Sequence, residues 1–206
     1  MGTIIHDTLL GFPLSFVTDE RLFSPKAIDA GTMAMLSRCR LTKGEKVHDL
    51  GCAYGAVGIA CAKLAGQEFI YMSDVDPLAV DIAKENAERN HVGQVQVICS
   101  DGYKNFHESG FDVILCNPPY HSDFSVAKHF IEKGFNRLKL GGRMYVVVKR
   151  LDWYKKKFIA VFGGLKLHRE PAGYFVLEAY KKEWQYASKA SAPKPPQTPL
   201  QEQRAL

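Results

Sequence analysis

The sequence predicts an α/β fold: a mostly parallel sheet with helices on both faces, closed by an antiparallel strand. Three observations predict it. Short apolar runs alternate with helix-like segments from about residue 46 to 180, the rhythm of βαβ units. A Gly-rich turn, Gly51-Cys52-Ala53-Tyr54-Gly55, joins the first of these runs to the first of these helices. The last two runs are separated only by Pro171-Ala172-Gly173, a link that is too short for anything but a hairpin.

Taken in order, residues 1–25 read as an irregular or hairpin-forming lead-in. A helix follows from about Ala27 to Cys39, with Pro25 near its start and Ser24 as its cap. The strands are Lys46–Leu50, Phe69–Ser73, Val95–Cys99, Val113–Cys116, Met144–Val148, Leu165–Glu170 and Tyr174–Ala179. Between them, Gly55–Leu64, Pro77–Asn90 and Val126–Leu138 repeat apolar residues at helical spacing, as in Ala79, Ile82, Ala83 and Ala87. Lys139-Leu140-Gly141-Gly142-Arg143 reads as the end of one helix, with the glycines as its C-cap. Beyond about residue 185, Ala, Ser, Lys, Pro and Gln take over, a composition that buries too little apolar surface to order itself. The expected organisation is one domain over residues 1–184, with residues 1–40 as lead-in and helix, and a disordered tail over 185–206.

With 206 residues the chain can build one substantial core, and its 46% hydrophobic and 24% charged content is that of a globular protein rather than a disordered one. No apolar run approaches the roughly 20 residues that span a bilayer. No basic stretch followed by an apolar core and cleavage site marks a secreted protein. The five cysteines are scattered without a C-x-x-C pair, so reduced core thiols in a cytoplasmic protein are expected, and no metal site. The net charge of +5 is compatible with a nucleic-acid partner.

The Gly-rich turn follows a strand and opens a helix. Gly51 and Gly55 let the backbone bend and let a ligand lie against the helix N–H groups. Asp74, at the end of the next strand, is placed to accept from a ribose diol. A dinucleotide fingerprint is a poor match, because the chain offers Gly51-x-Ala53-x-x-Ala56 in place of G-x-G-x-x-G. Asp49, closing the first strand, suits a cationic ligand such as the sulfonium and ammonium end of S-adenosylmethionine. Its bland reading is a helix-capping carboxylate.

Asn117-Pro118-Pro119-Tyr120 directly follows the buried-strand pattern Phe111–Cys116. Two prolines give a rigid loop without N–H donors, and the Asn side chain adds an acceptor. Acceptors beside an aromatic ring suit a planar group bearing NH2, a nucleobase or a carboxamide. The alternative is a tight turn with a packed Tyr.

Asp49-x-Gly51-x-Ala53-x-Gly55, Asp74, Ser100-Asp101 and Asn117-Pro118-Pro119-Tyr120, in this order, resemble class I S-adenosylmethionine-dependent methyltransferases that modify planar nitrogens. Phe23-Ser24, Asp29-x-Gly31-Thr32 and His121 resemble the small-domain group of bacterial ribosomal RNA guanine-N2 methyltransferases. The resemblance covers about residues 20–180 and departs at Ala53, where the family has Gly. It implies a Rossmann-like fold with a seven-stranded sheet. Larger two-domain members carry a degenerate N-terminal copy of the domain, and this sequence holds one copy.

The resemblance implies that Asp49 and Gly51 hold the methionine end of S-adenosylmethionine, Asp74 its ribose, and Asp101 with Gly102 its adenine, with Ala53, Gly55 and Asn117 also in the cofactor site. Asn117 and the Pro118 carbonyl would accept hydrogen bonds from the exocyclic amine to be methylated. Tyr120 would stack on its ring beside Pro119. His121 reads as a substrate contact or a loop stabiliser, Phe23 as a lid or a core aromatic, and Lys149-Arg150 as phosphate contacts or a solvated pair. Lys155-Lys156-Lys157 reads as an exposed helix face. The implied partner is RNA, as ribosomal RNA or a ribosomal subunit, with a flipped-out base. Adenine N6, a protein glutamine amide, or RNA binding without catalysis are the competing readings.

Overall fold

The computed structural model describes residues 2–119 and 124–190. The lead-in is a hairpin: β1 (Thr3–Leu9) and β2 (Phe12–Thr18) pair antiparallel with Leu9 opposite Phe12. Leu10 and Gly11 both take positive φ, 51° and 87°, as a two-residue turn matching the strand twist requires. Helix α1 (Ala30–Arg38) starts later than Pro25 and Ser24 predict. Its N-cap is Asp29, whose carboxylate accepts from the Thr32 N–H, while Ser24 sits upstream at φ 50°.

There follow β3 (Val47–Leu50), α2 (Ala56–Ala65), β4 (Ile70–Asp74), α3 (Pro77–Arg89), β5 (Gln96–Cys99) and β6 (Phe111–Cys116). The chain continues through α4 (Phe124–Arg137), β7 (Leu138–Val148), α5 (Leu151–Phe162), β8 (Lys166–Arg169), β9 (Phe175–Tyr180) and α6 (Ala187–Ala190). Seven strands form one sheet in the order β5-β4-β3-β6-β7-β9-β8, with β9 antiparallel to both neighbours.

The antiparallel strand is present, but it does not close the sheet. β9 is buried along most of its length and pairs with β7 from Arg143–Tyr180 to Val148–Phe175, whereas β8 carries Lys166, His168 and Arg169. The apolar strand therefore goes inside and the polar one becomes the edge. The glycines of Gly141-Gly142 do not cap a helix either. β7 begins at Leu138, and its pairing with β6 jumps from Phe111–Leu138 to Val113–Arg143, so the glycines lie in a bulge. A Cβ on Gly142 would stand 2.7 Å from the Phe111 carbonyl oxygen.

Alternation along the strands builds a core on each face. Val113, Leu115, Tyr145 and Val147 face one cluster with α1, α2 and the hairpin; Ile114, Cys116, Met144, Val146 and Val148 face the other with α4 and α5. His48 stacks on Phe106 at 4.2 Å and bonds Tyr103 and Ser73, and burial pushes its imidazole down to about 3, which keeps it neutral. Three cysteines, Cys52, Cys61 and Cys116, are buried thiols as expected, whereas Cys99 is exposed.

Order extends past residue 184, where the composition ends the domain. The Tyr186 hydroxyl donates to the Glu132 carbonyl at 3.0 Å, and its ring meets Phe135 edge-on at 5.1 Å. One aromatic ring supplies the burial that its small and charged neighbours do not. Residues 191–206, the rest of the expected tail, lie outside the described residues.

Candidate active site

The strand order places β3 and β6 at a switch point: the chain runs outward from β3 through β4 to β5, then returns to add β6 on the other side. Ligands of open α/β sheets bind beyond the strand carboxyl ends at such a point. Leu50 lies opposite Cys116 in the β3–β6 register. The next residues, Gly51 and Asn117, therefore leave the sheet side by side.

The turn after β3 is tightly specified. Gly51, Ala53 and Gly55 all take positive φ, 78°, 48° and 90°. The N–H groups of Gly51 and Cys52 both donate to the Ser73 carbonyl at 2.9 Å. The Ala53 N–H donates to one Asp74 carboxylate oxygen at 2.8 Å, and the Asp76 N–H to the other at 3.1 Å. Gly55 lies behind the turn, with space for a Cβ only 3.2 Å from Ala83 and Ile59.

Asp49 is buried and accepts from the Gly58 N–H in the first turn of α2 at 2.8 Å. The helix-capping reading thus describes one of its oxygens. Burial pushes its carboxyl up to about 7, and the nearby Asp74 charge adds to the rise.

A cavity of about 370 Å³ opens between the strand ends. Its lining includes Phe23, Gly51, Ala53, Asp74, Asp101, Gly102, Asn117 and Pro119, together with Val75, Val126 and Phe130. Adjoining it, a void of about 30 Å³ is enclosed by Asp29, Thr32, Asp49, Gly51 and Asn117. Phe23 borders both and is 44% exposed, so it is not a core aromatic. Asp101 is exposed, and its ion pair with Lys104 holds its carboxyl below the usual range.

Gly102 also borders the cavity, and a Cβ there would stand 2.8 Å from the His129 ring. Other expected residues stand elsewhere. Pro118 is buried and lines neither space. Lys149 is exposed and holds its ammonium 4.6 Å from the centre of the Tyr174 ring. Tyr120 and His121 lie outside the described residues. A larger hollow of about 570 Å³ lies by the hairpin and the C-terminal ends of α2 and α3, lined by His6, Lys63 and Arg89 among others. Those helix ends face the amino edge of the sheet, away from the switch point.

Residue-by-residue reading gave no role to the group that grips Asn117. The Asn117 amide nitrogen donates to the Asp29 carboxylate at 3.0 Å and to the Thr32 hydroxyl at 3.1 Å. The Tyr174 hydroxyl donates to the same carboxylate at 3.2 Å. A Cβ on Gly31 would stand 2.6 Å from the Tyr174 ring, so a glycine is needed there. The only sequence signal was the Asp29-x-Gly31-Thr32 pattern itself. Val126 and Phe130, the apolar wall, could have been found from their one-turn spacing on α4.

Carboxylates at three strand ends suit a ligand carrying positive charge and hydroxyls, and the wall of Val75, Val126 and Phe130 suits a flat ring. S-adenosylmethionine has that chemistry. Among the described residues, no group of His, Cys, Asp or Glu could hold a metal ion, and no helix is long and apolar enough to cross a membrane.

The methyltransferase small domain family matches residues 13–178. The protein YbxB of Bacillus subtilis (strain 168), described as uncharacterized, is 28% identical over 172 residues, 81% of this chain and 86% of that one. Ribosomal RNA large subunit methyltransferase G of Streptomyces avermitilis is 31% identical over 166 residues, 78% of this chain but 44% of that protein. The T. thermophilus 16S rRNA N2 G1207 methyltransferase (RsmC), solved in complex with AdoMet and guanosine, superposes with a TM-score of 0.80 at 26% identity, over 87% of this chain and 50% of that chain. The chain thus spans about half the length of these ribosomal RNA methyltransferases. With its switch-point cavity and acidic strand ends, the chain belongs to the methyltransferase small domain family of S-adenosylmethionine-dependent enzymes.

Proposed function

We propose that the chain methylates an exocyclic amine of a nucleobase, with guanine N2 in ribosomal RNA as the acceptor. One observation carries the reading: Asn117, heading a prolyl loop, shares a cavity with Asp74 and Gly51 and a void with Asp49. Guanosine and AdoMet in the solved T. thermophilus relative, and the ribosomal RNA names of the relatives, support the acceptor and its polymer.

Asp49 and Gly51 would hold the cationic amino-acid end of S-adenosylmethionine, Asp74 its ribose hydroxyls, and Asp101 with the Val126–Phe130 wall its adenine. When bound, the cofactor supplies an electrophilic methyl group on a sulfonium. The remaining work falls to this chain. An exocyclic amine is a weak nucleophile, because its lone pair is delocalised into the ring. Acceptance of one of its N–H groups by the Asn117 Oδ1 favours a tetrahedral nitrogen and aims the lone pair. Positioning and electrostatics of this kind supply most of such a rate.

β3, β4 and β5 deliver the cofactor residues, which leaves the carboxyl end of β7 for the acceptor. There Lys149 and Arg150 are exposed, and Phe124 stacks on Trp153 with ring centres 4.6 Å apart. Cations beside flat rings fit a phosphate backbone with an unstacked base. The test is labelled-methyl transfer into RNA and ribosomal subunits from a strain lacking the protein, followed by nucleoside analysis. N2-methylguanosine is the expected product. Label in no nucleoside would overturn the reading.

A further inference from the structure

We infer that Asp29 is a positioning residue for methyl transfer: its carboxylate locks the Asn117 side chain with the amide nitrogen inward, which fixes the direction in which Oδ1 is presented. The inference rests on the acceptor role proposed for Asn117.

A terminal amide can turn over by half a rotation, exchanging its donor and acceptor edges. Only one edge is useful for gripping an amine, and that is the acceptor edge. Here the Asn117 nitrogen meets two oxygens, Asp29 Oδ2 at 3.0 Å and Thr32 Oγ1 at 3.1 Å. An ionised carboxylate accepts and does not donate. Turning the amide over would set its carbonyl oxygen against the carboxylate and lose the hydrogen bond to that charge, whereas the Thr32 hydroxyl, which donates as well as accepts, suits either edge. The carboxylate is itself held from two further sides, by the Thr32 N–H at 3.0 Å and by the Tyr174 hydroxyl at 3.2 Å. Gly31 lets the Tyr174 ring come that close. The clamp therefore ties the start of α1 and the residue before β9 to the loop after β6. On this view the N-terminal segment is part of the acceptor apparatus, not a lead-in to it.

Asp29 also caps α1, so a plain loss of helix stability must be separated from a loss of orientation. Asp29→Ser makes the separation, because Ser caps a helix about as well as Asp does. Its single neutral hydroxyl donates as well as accepts, so it favours neither edge of Asn117 and the lock is lost. Asp29→Ser should keep its melting temperature while kcat, measured at saturating cofactor and RNA, falls tenfold or more. Tyr174→Phe, which keeps the ring and removes the hydroxyl, should lower kcat a few-fold. A wild-type kcat in Asp29→Ser would overturn the inference.

A second readout does not need activity. The Asn117 side-chain NH2 resonances, identified by their loss in Asn117→Ala, should be protected from water exchange in the wild type and lose protection in Asp29→Ser. Unchanged protection would also overturn the clamp. If the wild type transfers no methyl group to RNA, the acceptor reading fails, and these resonances alone decide for or against the clamp.

Discussion

The backbone N–H of Ala53 donates to the Asp74 carboxylate at 2.8 Å while Ala53 itself sits at φ 48°. One contact thus joins the turn after β3 to the end of β4, and it is made by a non-glycine residue held in the left-handed region. The left-handed region costs a residue with a Cβ about 1–2 kcal/mol. The hydrogen bond to a carboxylate, worth about 1.5–3 kcal/mol, is enough to hold it there.

Relieving that strain should be measurable. Ala53→Gly should raise stability by about 0.5–1 kcal/mol, since the strain removed exceeds the extra chain entropy of glycine. Thermal unfolding should then shift up by about 1–4 °C. A lower melting temperature would show that the Ala53 methyl group packs more than it strains.

Removing the acceptor should do the reverse and reach the cofactor. Asp74→Ala strips the partner from the N–H groups of Ala53 and Asp76. S-adenosylmethionine affinity should fall by about 1.5–3 kcal/mol, on the order of 10- to 100-fold. Equal affinity by calorimetry would remove Asp74 from the cofactor site.

Asp49 gives the site a pH dependence. Its carboxyl is raised from 3.8 to about 7, by burial first. Across that window the folded protein keeps a proton that the unfolded chain has lost. The carboxyl therefore lowers stability as pH rises toward 7, with no further loss above it. A cationic cofactor favours the ionised form, so its affinity should rise with pH, by about tenfold per unit below 7. Calorimetry from pH 5.5 to 8.5 checks the slope, which Asp49→Asn should flatten. A flat wild-type profile would refute the assignment.

Asn117→Ala should separate binding from turnover. Cofactor affinity should stay within a few-fold, while kcat drops by about two orders of magnitude, the scale of losing one preorganised polar group aimed at the reacting centre. Single-turnover kinetics with RNA provides the check. Unchanged turnover would take Asn117 out of the chemistry.

Asn86 on α3 and Asn90, which caps its C-terminus one turn later, bind the edge of β2 as a neighbouring strand would. Asn86 accepts from the Val17 N–H and donates to the Val17 and Tyr54 carbonyls, and Asn90 does the same for the N–H and carbonyl of Ser15. Tyr54 belongs to the turn after β3, so the hairpin and the turn share one buried side chain. Asn86→Ala should cost about 2–4 kcal/mol, because it strands backbone groups around a fully buried position. Chemical denaturation measures it, and a loss under 1 kcal/mol would show that water replaces the amide.

The sheet and its helices were legible because their evidence is local. A period of two or of 3.6 is written into each segment, and a three-residue link such as Pro171–Gly173 leaves only a hairpin. Asp49, Asp74, Asp101 and Asn117 could be nominated for the same reason, since each stands at or just beyond the end of an apolar run. Elsewhere the local signals are ambiguous. Gly141-Gly142 looks like a helix cap, and only the missing space at the Phe111 carbonyl marks a bulge. Pro25 looks like a helix start, though the carboxylate that caps α1 comes later.

By itself, then, the sequence determined the alternation of elements and the residue types offered at each strand end. Tertiary structure alone decided which ends meet. Asn117 bonds Asp29 across 88 positions, and Tyr174 bonds it across 145. Nothing in the periodicity of α1, β6 or β9 encodes that meeting, because it follows from the order in which strands join the sheet. That order reflects the burial of whole faces rather than the identity of any one side chain.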